Sequence, residues 1–97
     1  MKSFERAKAQ IWQWYENLGD RKRSFLLVER DSYLFLTELR DRMTCSFSLY
    51  ESGSVHLIKN DVMTKEQAED FRKLQKIFRD YLSDFLEETE HANQGTL

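Results

Sequence analysis

From Phe4 the apolar positions continue at Ala7, Ile11, Trp14, Tyr15 and Leu18, steps of three and four that describe one face of a helix. Ser3 is placed to cap its start and Gly19 to stop it, so the spacing predicts a helix from about Ser3 to Leu18. Trp12 lies off that stripe. It is either a flank residue reaching over the core edge or an aromatic offered to a partner.

After Gly19-Asp20 and the basic cluster Arg21, Lys22 and Arg23, the period shortens toward two, which marks a sheet. Ser24 to Arg30 and Ser32 to Leu39 read as two antiparallel strands around the turn residues Asp31 and Ser32. Met43, Cys45, Phe47 and Leu49 alternate with Thr44, Ser46, Ser48 and Tyr50, a strand with one buried and one largely polar face. Glu51-Ser52-Gly53-Ser54 turns the chain into a fourth strand from Val55 to Ile58. Because sequential strands joined by short turns usually pair, a meander is expected. The first two strands carry apolar residues at both parities: Phe25, Leu27, Tyr33 and Phe35 in one set, Leu26, Val28, Leu34 and Leu36 in the other. Both faces of that half of the sheet therefore call for cover, from a helix on each side or from one helix and a dimer partner.

Thr64 and Gln67 form a capping-box pattern. Behind it Ala68, Phe71, Leu74, Ile77, Phe78, Tyr81, Leu82, Phe85 and Leu86 make one wide stripe, with no Gly or Pro to interrupt it. A helix from Thr64 to Glu88 would be roughly 37 Å long, against ~20 Å for a strand of six residues, so its last turns should project beyond the sheet. Residues 92–97 read as a loose tail. The expectation is an α+β fold: a single domain over 1–97 with an antiparallel sheet of three or four strands, an N-terminal helix and a long C-terminal amphipathic helix.

Composition narrows the function classes. At 97 residues there is room for one core, and 40% apolar residues are enough to build it. A net charge of −2 gives no global attraction to nucleic acid or an anionic membrane. The single cysteine, Cys45, requires no oxidising compartment, no secretory signal opens the chain and no apolar run is long enough to span a bilayer; a cytoplasmic location without membrane attachment is expected. The two histidines, His56 and His91, make no zinc-type cluster with Cys45. No strained nucleophile turn or glycine-rich phosphate loop is present, and the three glycines are isolated. A protein without an enzyme's constellation, metal or cofactor is expected to work by binding.

The charges of the last helix supply the first candidate surface. Projection at 100° per residue puts Glu66, Glu69, Asp70, Asp80, Asp84, Glu87 and Glu88 on one flank, with Lys73 among them, and Arg72, Lys76 and Arg79 on the other. Asp80 with Asp84, and Asp84 with Glu88, are like charges at i and i+4, and acids near a helix C-terminus oppose its dipole. A solvated face is one explanation; the other is an acidic ridge that meets a basic surface on a protein partner, such as a nucleic-acid-binding complex. Carboxylates along a rod can stand in for phosphates, so this reading makes the chain a nucleic-acid mimic. In size and make-up it resembles the small inhibitors that phages and other mobile elements direct against host complexes, anti-CRISPR proteins among them. That resemblance implies a non-enzymatic inhibitor or regulator.

A second resemblance is local. Phe78-Arg79-Asp80-Tyr81-Leu82, with Asp84, Phe85 and Glu87, is similar to the closing helix of purine-rich-element-binding (PUR) repeats. It implies a sheet that binds single-stranded nucleic acid, although the Asn-x-x-Gly hairpin and the basic strand after it are missing here. Arg21, Lys22 and Arg23, with Arg30, Arg40 and Arg42 at expected turns flanking Tyr33, Phe35 and Phe47, would hold the backbone of such a strand while those aromatics stack on its bases. A third reading is a regulatory subunit that docks by the apolar stripe of its last helix. The two-sided apolar strands and the overlong helix also point to self-association as a homodimer.

Overall fold

The computed structural model describes residues 2–39, 45–59 and 63–95. Helix α1 (Lys2–Glu16) leads through a 3-10 turn (Gly19–Ser24) into strands β1 (Phe25–Glu29), β2 (Tyr33–Glu38), β3 (Cys45–Tyr50) and β4 (Val55–Lys59), followed by helix α2 (Lys65–Gly95). The strands pair antiparallel in the order β1-β2-β3-β4. This is the expected α+β architecture with its meander. Arg40, Arg42, Met43 and Thr44 lie outside the described residues.

Register assigns the faces. Leu27 pairs with Leu36, Leu36 with Phe47, and Phe47 with Leu57; one step along, Leu34 pairs with Leu49 and Leu49 with Val55. These positions form the inner face, where Phe25, Leu34, Leu36, Phe47 and Leu49 are buried with Phe4, Ala7 and Ile11 of α1 and Leu74, Phe78 and Tyr81 of α2. Aromatic rings join the layers. Phe47 stands 5.7 Å from both Phe71 and Phe78, and Trp14 meets Phe25 edge-on at 5.3 Å. Each large apolar side chain buried in this way contributes about 1.5–3 kcal/mol.

Both helices therefore lie on the same side of the sheet, packed antiparallel, with Ser3 beside Glu88, Arg6 beside Asp84 and Phe4 beside Tyr81. Of the two covers expected for the sheet, a helix on each face does not form: the second face has no cover among the described residues. Local boundaries differ too. Regular α1 ends at Glu16, and Gly19, at φ 62°, provides the expected stop. The Arg21–Arg23 cluster lies in the 3-10 turn and not in a loop or strand. Ser3 sits inside the first turn of α1 and is not its cap. Helix α2 passes the expected end at Glu88 and continues to Gly95, so residues 92–95, expected as a tail, are helical. Its 31 residues make a rod of about 46 Å, and the molecule's longest extent is 50 Å.

Candidate functional site

The start of α2 forms as its sequence dictates. The Thr64 amide donates to Gln67 Oε1 at 2.8 Å and the Gln67 amide donates to Thr64 Oγ1 at 3.1 Å, a reciprocal capping box. Gln67 Nε2 also donates to both oxygens of the buried Glu38 carboxylate, at 3.1 and 3.2 Å, which ties the end of β2 to the first turn of α2.

The seven acids of α2 do not act as one ridge. Glu88 accepts hydrogen bonds from the Ser3 amide at 2.7 Å and the Ser3 hydroxyl at 2.8 Å, so it is an external cap for α1, an anion at the positive end of that helix. Asp84 pairs with Arg6 at 2.8 Å. Asp70, buried, accepts a hydrogen bond from Arg21, whose Nε lies 3.4 Å from Glu66. Burial raises the Asp70 carboxyl above the usual aspartate range, while the Arg21 hydrogen bond and charge pull the other way. Asp80 is held by Lys76 at 3.1 Å. Glu69 and Glu87 are exposed and have no ion-pair partner among the described residues. The like-charge repulsion read from Asp80, Asp84 and Glu88 is thus offset at all three, because the partners of Asp84 and Glu88 come from α1 and Lys76 bonds Asp80. The dipole argument weakens as well, since Glu88 lies well before the real end of α2, beyond the reach of a last-turn effect.

The basic cluster is likewise engaged. Arg21 holds Glu66 and Asp70, and Lys22 bonds Glu16, which leaves Arg23 as the exposed member without an ion pair among the described residues. Residues proposed for opposite partners, Arg21 before β1 and Glu66 and Asp70 of α2, in fact bind each other. Trp12 is half-buried against the core, and its Nε1 donates to Glu29 at 2.7 Å. Glu29 also lies 3.8 Å from Lys8, a nearly buried cation whose ammonium sits 4.6 Å over the Phe4 ring.

Among the described residues, what stays open is the outer face of the sheet. Register places Val28, Phe35, Ser48 and His56 across it in one row, and Leu26, Thr37, Ser46 and Ile58 in another. The hydroxyls of Thr37 and Ser46 bond at 2.9 Å. At the end near the hairpin turns, Tyr33 and Tyr50 stand 6.0 Å apart, and His56 meets Tyr50 edge-on at 5.6 Å, so an aromatic row crosses β2, β3 and β4. A shallow cleft lined by Ser32, Tyr50, Glu51 and Ser52 adjoins it. No Asp, Glu, Lys or Arg stands at these outer-face positions. Sequence reasoning assigned Tyr33, Phe35 and Phe47 together to stacking; only Tyr33 and Phe35 belong to this face, since Phe47 is core.

Among the described residues no cluster of three metal-ligating side chains occurs, and no helix is long and apolar enough to cross a membrane. Comparison with known families, curated proteins and solved structures finds no match to this chain.

Proposed function

We propose that the chain is a non-enzymatic protein-binding regulator whose contact surface is the outer face of the sheet, not the acidic flank of α2. The observation that carries this reading is a face that, among the described residues, is uncovered and carries aromatic and aliphatic side chains without Asp, Glu, Lys or Arg. Interface cores between proteins are enriched in Tyr and Phe and depleted of charge in this way. A partner docking here gains burial of Leu26, Phe35, Tyr50 and Ile58 without desolvating an ion. The acidic flank is less suited, because Glu66, Asp70, Asp84 and Glu88 already bind groups of this chain.

The aromatic row of Tyr33, Tyr50 and His56 favours a second reading, single-stranded nucleic acid stacked on the same face. Two measurements separate them. Titration with mixed oligonucleotides at low salt should show no salt-sensitive binding if the partner is a protein. Capture of the partner from the native host, repeated with Phe35→Ser and Tyr50→Ser and with Glu69→Gln and Glu87→Gln, should lose the complex only for the sheet variants. Retention by the sheet variants together with loss in the acidic ones would restore the acidic flank as the contact surface.

A further inference from the structure

The two edges of the sheet are treated differently. At β1 the inward-facing Glu29 is bonded by Trp12 and lies near Lys8, and the Arg21–Arg23 turn precedes the strand, devices that blunt an edge against pairing. At β4 no described residue pairs with the outer side of the strand. Ile58 on the outer face is 51% exposed, and Leu57 on the inner face is 37% exposed, although its register neighbour Phe47 is buried. Leu82 and Leu86 of α2 are also exposed, at 37% and 62%. They lie about 160° around the helix from Asp84 and Glu88, which face α1, and hence on the flank away from α1. The open apolar surface thus runs from the β4 edge toward that flank.

We propose that β4 is the seam of a homodimer, in which a second copy of this chain adds its own β4 antiparallel across a two-fold axis through Leu57. The strand fits itself. Val55 falls opposite Lys59, His56 opposite Ile58 and Leu57 opposite Leu57, so no like charges meet. The same register carries Lys59 of each copy to the end of the other copy's strand, beside the β3–β4 turn. There Glu51 is exposed and has no ion-pair partner among the described residues. The register therefore sets residues of opposite charge at each end of the seam. The backbone groups left open on β4 become paired, giving one continuous eight-stranded sheet. This inference is independent of the function proposed for the outer face, which the dimer would present twice over.

Sedimentation of the whole chain from low to high micromolar concentration should show a reversible monomer–dimer equilibrium. Leu57→Glu should weaken the dimer about tenfold or more, since two carboxylates would face each other at the axis. Glu51→Lys and Lys59→Glu should each weaken it severalfold, and the double variant, which swaps the pair, should recover most of the loss. Glu51 lies in the β3–β4 turn and Lys59 at the end of β4, and circular dichroism melts of each variant confirm that the monomer still folds. Outward amides of β4 should exchange more slowly as concentration rises. A chain that stays monomeric at high micromolar concentration overturns the proposal. So does a dimer that is indifferent to Leu57→Glu, that the charge swap fails to restore, or that is lost in Phe35→Ser while the β4 variants leave it intact.

Discussion

At the scale of single residues, long-range partners change what a charge means. Along α2, Asp84 and Glu88 repel at i and i+4, yet one holds Arg6 and the other caps α1 through Ser3. Charge-assisted bonds at a helix N-terminus are worth about 1–2 kcal/mol, so Glu88→Gln should destabilise the fold by that amount. Asp84→Asn, which touches the exposed Arg6, should cost under about 1 kcal/mol. Urea denaturation checks both; a gain in stability from either variant would return these acids to the role of an uncompensated ridge. Asp70 makes a pH-dependent case. Its pKa is raised on folding, mainly by burial, so below that raised value the folded chain binds the proton more tightly than the unfolded one. Its contribution to stability is therefore least favourable at neutral pH and improves as pH falls through the folded pKa toward 3.8. Relative to Asp70→Asn, the wild type should gain stability between pH 7 and pH 4 in denaturant titrations. A constant difference between the two chains would show that burial does not outweigh Arg21.

At the scale of elements, what could be read beforehand was what the chain decides locally. The Thr64–Gln67 box lies within one turn, strand alternation lies within six residues, and Gly19 adopts the positive φ that its position demanded. The 3-10 turn after α1 and the extra turns of α2 were not legible, because the first is held by Arg21 reaching across to Asp70 and the second carries no apolar repeat to count. The β3–β4 turn shows a local signal with a distant reason. Gly53 has φ 94°, and a Cβ there would lie 2.6 Å from the Phe85 ring of α2, whereas a Cβ on Gly19, at φ 62°, meets nothing within 4 Å. Gly19→Ala should cost about 1–2 kcal/mol for the left-handed backbone alone. Gly53→Ala should cost about 2–4 kcal/mol, since Phe85 must also move. Equal losses in thermal or urea melts would mean that the hairpin and α2 are not in contact.

At the scale of the molecule, the apolar residues at both parities of β1 and β2 told that two faces exist but not which helix covers which. Phe25, Leu34 and Leu36 went under α1 and α2, while Leu26, Val28 and Phe35 were left outside. Periodicity is blind to that choice. It depends on α1 and α2 packing against each other, and the bonds that fix them there span most of the chain, as Ser3 to Glu88 does. The candidate site was accordingly illegible as a surface, although Tyr33 and Phe35 were singled out within it. Two neighbours on β2 now make a test of the whole arrangement. Leu36 is 1% exposed, so Leu36→Ala should cost about 2–5 kcal/mol through lost burial and a cavity. Phe35 is half-exposed on the other face, so at protein concentrations low enough to hold the monomer Phe35→Ala should cost under about 1 kcal/mol. The contrast should persist in urea titrations at several concentrations, because the proposed dimer seam lies at β4 and leaves Phe35 uncovered. If the cost of Phe35→Ala instead rises with concentration toward that of Leu36→Ala, a second copy covers the outer face in solution, and that face is a self-contact instead of a surface held open for a partner.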